Sequence, residues 1–451
     1  MTRTLPYRVY VGLANLALPL IFRRVSRRLI AQGVAAERVG ERLGHATRPR
    51  PLGPLIWCHA ASVGESVSLL ALIDQLLADD PALHVLVTSG TASSAQILAA
   101  RLPPRAIHQF APLDGRKPMA RFLTHWHPAL AVFVESEIWP QMIVQTAAAA
   151  IPLALLNARM SKTSLRNWAR FPATARSLLQ RFALIRTQDA ATAQALIALG
   201  ADPATTRAGG NLKAAAQPLP CDAMAVRAFR SALNDRPVWA AVSTHPGEEE
   251  LILWAHKAAR AQRPDLALIL VPRHAERGAM MEKLCRDAGL PSARRSLGQP
   301  ISAQTAVYLA DTLGETGLWF ALSPLVFLGG SLVPVGGHNP YEPALSGAAI
   351  LHGPHVTNAA AAYAGFDAAG GAVMVADAAA LARTLVALLN APQDLQTHKT
   401  AAIAHATAQS SDLPALARAL HLLSAVRFTD MASAARQSPP TTNSPPGSPR
   451  R

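Results

Sequence analysis

Two doubly wound α/β domains are predicted by three features of this chain. Short apolar, β-branched runs alternate with Ala- and Leu-rich stretches from about residue 54 to residue 351, the pattern of parallel strands covered on both faces by helices. One proline-bearing stretch, KAAAQPLPCDAMA (213–225), interrupts the alternation and reads as a linker. At 451 residues, half of them hydrophobic and only 16% charged, the chain can bury two cores and is too apolar to stay unfolded.

The expected strands follow in order. In the first half they are Pro54–Trp57, His84–Thr88, Leu130–Glu135, Pro152–Leu156 and Leu184–Thr187. In the second half they are Val238–Val242, Leu266–Pro272, Ala306–Ala310, Leu325–Leu328 and Ala349–Leu351. Ligands of such sheets bind beyond the carboxyl ends of the strands, in a cleft expected here between the two domains. The chemically capable residues fall at those ends: Glu65, TSGTASS (88–94), ESEIWP (135–140) and NARMSKTS (157–164) in the first half. STHPGEEE (243–250), PRHAER (272–277), DTLGETG (311–317), GGSLVPVGGHNPYEPA (329–344) and HGPHVTN (352–358) do the same in the second.

The two ends read differently. Tyr7–Phe22 is apolar apart from Arg8 and is followed at once by Arg23, Arg24, Arg27 and Arg28. These 16 residues fall short of the ~20 of a spanning helix, so both a spanning and an interfacial anchor stay open. No small-residue cleavage site follows, which argues against a signal peptide. The last stretch, MASAARQSPPTTNSPPGSPRR, holds five prolines and no apolar cluster, and a disordered tail is expected. The division is therefore an anchor over 1–30, domains over 31–213 and 226–427, a linker over 214–225 and a tail over 428–451.

A formal net charge of +15 favours an anionic partner. Basic runs interleaved with aromatics and zinc-finger spacings are both missing, so a membrane surface or small anion is preferred to nucleic acid. Three dispersed cysteines, Cys58, Cys221 and Cys285, support neither a disulfide framework nor a thiolate metal site. His59, His274 and His338 have no ligand spacing and read as hydrogen-bonding or buried histidines. Dinucleotide fingerprint, Walker A loop and a well-placed D-x-D are lacking, and no metal or cofactor is expected.

The second half has the marks of a phosphate site. Gly329, Gly330, Gly336 and Gly337 permit close backbone approach, and HNPYEPA enters an Ala-rich helix whose free N–H groups suit an anion. Arg273 supplies a planar fork and Glu342 an acceptor for ribose hydroxyls. The first half carries Glu65, Glu135, Glu137, Arg159 and Lys162, a mixed-charge mouth for a polar acceptor. Glu65 stands near a helix N-terminus, which favours its ionised form and leaves helix electrostatics and general-base catalysis both open. Ser62 and Ser66 do not form a nucleophile elbow, because G-x-S-x-G is absent.

In HAASVGE (59–65), VESEIWP (134–140), NARMSKTS (157–164), GNLK (210–213), STHPGEEE, VPRHAER (271–277), GGSLVPVGGHNPYEPA and HGPHVTN, the chain resembles the 3-deoxy-D-manno-octulosonic acid (Kdo) transferases of lipopolysaccharide assembly. The blocks run in family order over roughly residues 5–425. The resemblance implies a GT-B fold, with an acceptor-side Rossmann-like domain before a donor-side one. It implies CMP-Kdo as donor, a lipid A precursor (the tetraacyldisaccharide 4'-phosphate) as acceptor, and residence at the cytoplasmic face of the inner membrane against anionic lipid.

By the same resemblance Glu65 matches a catalytic base, and Glu135 and Lys213 match residues that stabilise the transition state. Pro272, Arg273, Leu313, Gly314, Glu315, Asn339, Pro340, Tyr341 and Glu342 match CMP-binding segments. Ser62, Gly64, Glu137, Arg159, Lys162, Gly330, Ser331 and His338 are further candidate contacts. Tyr341 replaces the family's usual Leu and Thr316 replaces another. The expected reaction is inverting displacement at the anomeric carbon of Kdo. Its rivals are a GT-B enzyme using a nucleoside diphosphate sugar and a catalytically silent module that binds anionic lipid. An NAD-dependent dehydrogenase lacks its glycine fingerprint. The number of Kdo transfers, the use of a related octulosonic acid and the oligomeric state are not encoded in any motif.

Overall fold

The computed structural model describes residues 4–214, 219, 221–234, 236–410 and 412–437, with the backbone alone over 426–437. Two compact units divide the chain, one built from the segment ending at Leu212 together with the C-terminal segment after Ser410, the other spanning Lys213–Ser410. Each unit is organised on one seven-stranded parallel sheet.

The strands of the first unit are β1 (Leu55–His59), β2 (His84–Ser89), β3 (Ala106–Phe110), β4 (Leu130–Val134), β5 (Leu153–Ala158), β6 (Phe182–Thr187) and β7 (Thr206–Ala208). They lie in the order β3-β2-β1-β4-β5-β6-β7. The second unit has β8 (Val238–Thr244), β9 (Ala267–Pro272), β10 (Ser292–Arg294), β11 (Val307–Leu309), β12 (Leu325–Leu328), β13 (Ala349–His352) and β14 (Ala372–Met374), in the order β10-β11-β9-β8-β12-β13-β14. The direction of winding reverses between β1 and β4 in one sheet and between β8 and β12 in the other, the places where such sheets bind ligands.

Alternate residues of each strand enter separate cores. Leu55, Trp57, Ala131, Phe133, Leu153 and Leu155 pack on one face of the first sheet, while Ile56, Cys58, Leu130, Val132, Ala154 and Leu156 pack on the other. In the second unit Ala240 and Val242 fill one face and Trp239 and Ala241 the other. Burial on both faces is why these strands read as unbroken apolar runs. The strands absent from the sequence reading are β3, β7, β10 and β14, the four sheet edges. Thr206–Ala208 and Ser292–Arg294 are short, partly exposed and carry no apolar run; Ala372–Met374 is apolar but only three residues long.

The C-terminal boundary also differs from the sequence reading. The second unit ends at Ser410 rather than near residue 427, and a helix Leu413–Gln437 covers the first ten positions assigned to the tail. Its Leu416, Ala417 and Leu420, three and four residues apart, bury against Leu72, Ile73 and Leu76 in the core of the first unit. Residues 438–451 lie outside the described residues, as do 215–218 and 220 of the expected linker. A helix Ala223–Leu233 takes up the last three linker positions.

The N-terminal helix Leu5–Ala31 is long and apolar enough to cross a bilayer. One face is docked on the first unit: Tyr7 and Leu29 are buried, Tyr10 donates to Asp114 (2.7 Å), and Asn15 accepts from the Arg116 N–H (3.0 Å). Leu18 packs so closely on Gly115 that a Cβ there would lie 2.4 Å from its methyl. The opposite face is bare, with Leu5, Leu16 and Leu20 exposed by 71%, 80% and 73% and Val9 and Leu13 alongside them.

Candidate active site

In the first unit the carboxylates gather at the winding reversal. Glu65 lies in the helix Val63–Ser68 that follows β1. Ser62 caps this helix, accepting from the Glu65 N–H (3.4 Å), while its hydroxyl donates to Glu65 Oε1 (2.8 Å) and the Ala61 N–H donates to Glu65 Oε2 (2.8 Å). This is a capping-box arrangement in which the Glu reaches back over the helix start. Burial pushes the Glu65 carboxyl above its ordinary value; the charges of Glu135 and Glu137 add to the rise, and the bonds from Ser62 and Ala61 do not offset it. From sequence, the helix terminus reads as favouring the ionised form of this group. Burial and like charge prevail instead, leaving a stronger base.

Glu137 is treated oppositely. It is buried, which alone would raise it, but the nearby His59 and the hydrogen bond from the Trp139 indole hold it below the ordinary value. His59 Nε2 lies 3.3 Å from Glu137 Oε2, and His59 Nδ1 shares a 3.0 Å contact with Thr88 Oγ1, which also accepts from Trp57 (2.8 Å). Two neighbouring carboxyls are thereby driven apart in proton affinity, the condition that separates a proton acceptor from a permanent anion.

Glu135 directly follows β4 in a left-handed conformation, φ +57°, with its N–H bonded to the Leu156 carbonyl (3.0 Å). A left-handed Glu is a strained residue held by its surroundings. Asn157 Nδ2 approaches Glu135 Oε1 at 3.4 Å. Arg159 is half-exposed and Lys162 is exposed in the first turn of the helix Lys162–Ala169, which Ser161 caps. Gly64 and Ser62 are exposed and Lys213 is half-buried.

In the second unit the reversal is held by a residue that sequence reasoning passed over. Glu248 is fully buried, and its carboxylate accepts from the N–H groups of Gly330 (2.7 Å), Ser331 (3.0 Å), Leu332 (2.9 Å) and His245 (3.3 Å). It joins the loop after β8 to the loop after β12. The glycine stretch also bonds within itself: Gly336 and Gly337 donate to the Gly330 carbonyl (3.0 and 2.8 Å). Gly329 is required because a Cβ would lie 2.5 Å from the Ser243 carbonyl oxygen. Ser331, a candidate contact, is buried, donating to the Leu328 carbonyl (2.5 Å) and accepting from the Gly353 N–H (2.8 Å).

What remains open near these loops is basic. Arg273 is exposed at the end of β9, anchored through its N–H to the Thr244 carbonyl (3.0 Å). His245 and His338 stack with ring planes 9° apart and Nε2 atoms 2.9 Å from each other, within hydrogen-bonding distance. Burial, then His245 and Arg273, push His338 down to about 4. Asn339 Oδ1 accepts from the Tyr341 N–H (3.2 Å) and its Nδ2 donates to Glu342 Oε1 (3.2 Å). The helix that follows is only Tyr341–Leu345, five residues rather than the longer Ala-rich helix expected. The Tyr341 ring is in the core against Phe366, centroids 5.2 Å apart, so the change from Leu is absorbed by packing. Leu313 is 79% exposed, and Glu315 is engaged with Arg295 and Thr312, the Arg295 bond holding it below its ordinary value. Among the described residues no group of three or more His, Cys, Asp or Glu is placed to share a metal ion.

Residues 37–216 match the family model described as 3-Deoxy-D-manno-octulosonic-acid transferase (kdotransferase). The chain is 33% identical, over 88% of its length and 90% of the relative's, to the probable mitochondrial 3-deoxy-D-manno-octulosonic acid transferase of Arabidopsis thaliana. It is 33% identical to the 3-deoxy-D-manno-octulosonic acid transferase of Haemophilus influenzae, over 85% of this chain and 91% of that one. The chain belongs to the Kdo transferase family.

A Kdo transferase is a glycosyltransferase, and its GT-B architecture is shared more widely. The UDP-GlcNAc 2-epimerase of Neisseria meningitidis superposes with a TM-score of 0.55 over 78% of this chain and 97% of that one, at 12% identity, which speaks to the fold alone. In this Kdo transferase chain, Glu65, Glu135 and Glu137 come together in the first unit. Arg273 and His338 lie close together in the second, and Asn339 and Glu342 are joined to each other. Glu248, Glu249 and Asn157 went unnoticed in sequence. Glu249 is buried against Arg277 and steadies the PRHAER loop. The acidic triplet Glu248–Glu250 at a strand end was the available signal; Asn157 had only its place in NARMSKTS.

Proposed function

We propose that the chain transfers Kdo from CMP-Kdo to a lipid A precursor, the tetraacyldisaccharide 4'-phosphate, with inversion and with Glu65 as general base. The observation that carries this reading is the 33% identity to 3-deoxy-D-manno-octulosonic acid transferases over most of the chain; the role of Glu65 is supported by its place after β1, held by Ser62 and Ala61 beside Glu135 and Glu137. Glu65 takes the proton of the acceptor hydroxyl as the new C–O bond forms at the anomeric carbon and the bond to the CMP phosphate breaks. Glu135 and Lys213 stabilise the charge that develops, and Arg273 meets the departing phosphate. The reading includes no metal ion. Mass spectrometry of the product formed from CMP-Kdo and the tetraacyldisaccharide 4'-phosphate in the presence of EDTA tests donor, acceptor and metal independence together. One or more added Kdo masses are expected; no product, with UDP rather than CMP protecting the enzyme thermally, would sink the reading.

The same reading places the enzyme on the cytoplasmic face of the inner membrane, its N-terminal helix lying in the interface. Support comes from the two faces of that helix. To span, it would have to give up the bonds of Tyr10 to Asp114 and of Asn15 to Arg116. Lying flat, it keeps them and sinks Leu5, Val9, Leu13, Leu16 and Leu20 among acyl chains. Arg23, Arg24, Arg27 and Arg28, exposed beyond the leucines, meet anionic headgroups at about 1 kcal/mol each. Replacing Leu13, Leu16 and Leu20 together by Ser removes ~1.5 kcal/mol or more per side chain and weakens binding to phosphatidylglycerol-containing vesicles on the order of 10³-fold. Flotation measures this. Protease protection of an N-terminal tag on sealed vesicles would show a spanning helix and overturn the interfacial reading.

A further inference from the structure

We propose that Asn157 is a positioning residue for the transfer, aiming the Glu135 carboxylate and fixing the backbone that leads into Lys213. This rests on the roles given above to Glu135 and Lys213. Asn157 is 2% exposed, yet each functional group of its amide is committed to one of those two segments. Its Nδ2 approaches Glu135 Oε1 at 3.4 Å, and its Oδ1 accepts from the Leu212 N–H at 3.1 Å. Its carbonyl accepts from Gln188 Nε2 at 3.3 Å, which ties the same point to the end of β6.

The backbone explains how a strand residue reaches both partners. Asn157 has φ +53°, inside the interval where the register of β5 against β6 shifts between Leu155 and Ala158. Such irregularities re-aim a side chain beside a functional site, and Asn is among the few residues that accept the left-handed region. Glu135 is itself left-handed, φ +57°, so its side chain leaves the line of β4. Near the ends of two adjacent strands, Asn157 within β5 and Glu135 just after β4 are thus both left-handed, and their side chains approach at 3.4 Å. A neutral amide satisfies both partners, since its N–H₂ end stabilises a carboxylate without neutralising it and its oxygen serves a buried backbone N–H. An Asp could serve Leu212 but would repel Glu135.

The test uses the full-length enzyme and three variants. Asn157→Asp is isosteric, keeps an acceptor for the Leu212 N–H and places a second carboxylate beside Glu135. Its kcat should fall about 10- to 100-fold while KM for CMP-Kdo stays within about twofold, the signature of a misaligned catalytic group. The acid limb of its kcat–pH profile should move to higher pH, because two carboxylates this close do not both ionise until the pH rises. Asn157→Gly keeps the left-handed backbone and loses both bonds; its kcat should fall with the acid limb in place. Wild-type kcat in Asn157→Asp, or a loss that follows a lowered Tm with the limb unmoved, overturns the proposal. Glu135→Gln, run in parallel, separates the failures. If it is inactive while Asn157→Asp is unimpaired, the positioning role falls alone; if both are unimpaired, the role of Glu135 falls and takes the proposal with it.

Discussion

Glu65→Gln should fold, bind CMP as the wild type does, and transfer Kdo about 10²- to 10⁴-fold more slowly, the usual contribution of a general base. The variant is informative because the amide can keep the local structure. Its oxygen accepts from the Ala61 N–H, and its N–H₂ group donates to Ser62 Oγ, so the helix Val63–Ser68 retains its cap. What is lost is proton acceptance. The wild-type rate should also depend on pH in a defined direction. Burial raises Glu65 above the ordinary glutamate value, helped by Glu135 and Glu137, so activity should fall with decreasing pH at a point above the usual carboxylate range. The sign for stability is opposite. A carboxyl whose folded-state pKa is raised favours the fold at low pH and loses that contribution as pH rises through the folded value. At neutral pH the ionised Glu65 therefore costs stability, and the Gln variant should melt no lower than wild type. Near-normal turnover would remove Glu65 from the role of base; a lowered Tm would show that its cap, not its chemistry, had been disturbed.

Glu248→Ala is expected to be the most destabilising of the substitutions considered, and to abolish protection by CMP. The carboxylate is fully buried and gathers four backbone N–H groups, from His245, Gly330, Ser331 and Leu332. Each buried donor left without a partner costs about 1–3 kcal/mol. Even after water enters the vacated space, a loss of roughly 3 kcal/mol or more is a large part of a domain's margin of 5–15 kcal/mol. The functional effect follows from position. The four donors belong to the loops after β8 and β12, between which the second sheet reverses its winding. Released from Glu248, these loops no longer hold His245 and His338 in register beside Arg273. Glu248→Gln keeps one acceptor oxygen and should lie between the two. Thermal unfolding with and without CMP reads both effects. An unchanged Tm with full CMP protection in Glu248→Ala would show that the loops do not depend on this carboxylate.

The candidate residues could be picked out because charged groups at strand ends stand out against the apolar runs before them. Glu65, Glu135, Arg273 and Glu342 follow apolar runs, and the winding rule points to them without coordinates. Glu248 was hidden for the opposite reason. A buried carboxylate serving backbone donors has partners 82 to 84 residues away, in Gly330 through Leu332, and no local pattern announces them. Asn157 is similar, reaching Leu212 across 55 residues. Glycine marks any backbone with unusual geometry, so the glycine loop did not announce that its Gly330 N–H serves the Glu248 carboxylate.

The strands divide along the same line. Every interior strand of both sheets was readable, since burial on two faces leaves an unbroken apolar run such as Leu130–Val134. The edges β3, β7 and β10 were not, because a strand paired on one side needs little apolar sequence of its own, and β14, though apolar, is only three residues long. The last helix carries its apolar spacing openly, in Leu416, Ala417 and Leu420, but not the identity of its partner. Chain order placed it with the second unit, and packing placed it with the first. By itself the sequence determined two parallel α/β cores, an apolar N-terminal helix and acids and bases stationed at strand ends, because these depend on local composition and period. The tertiary structure decided which carboxylate is pushed up and which is held down. That depends on desolvation and on neighbours brought together by folding, which no spacing in the chain records.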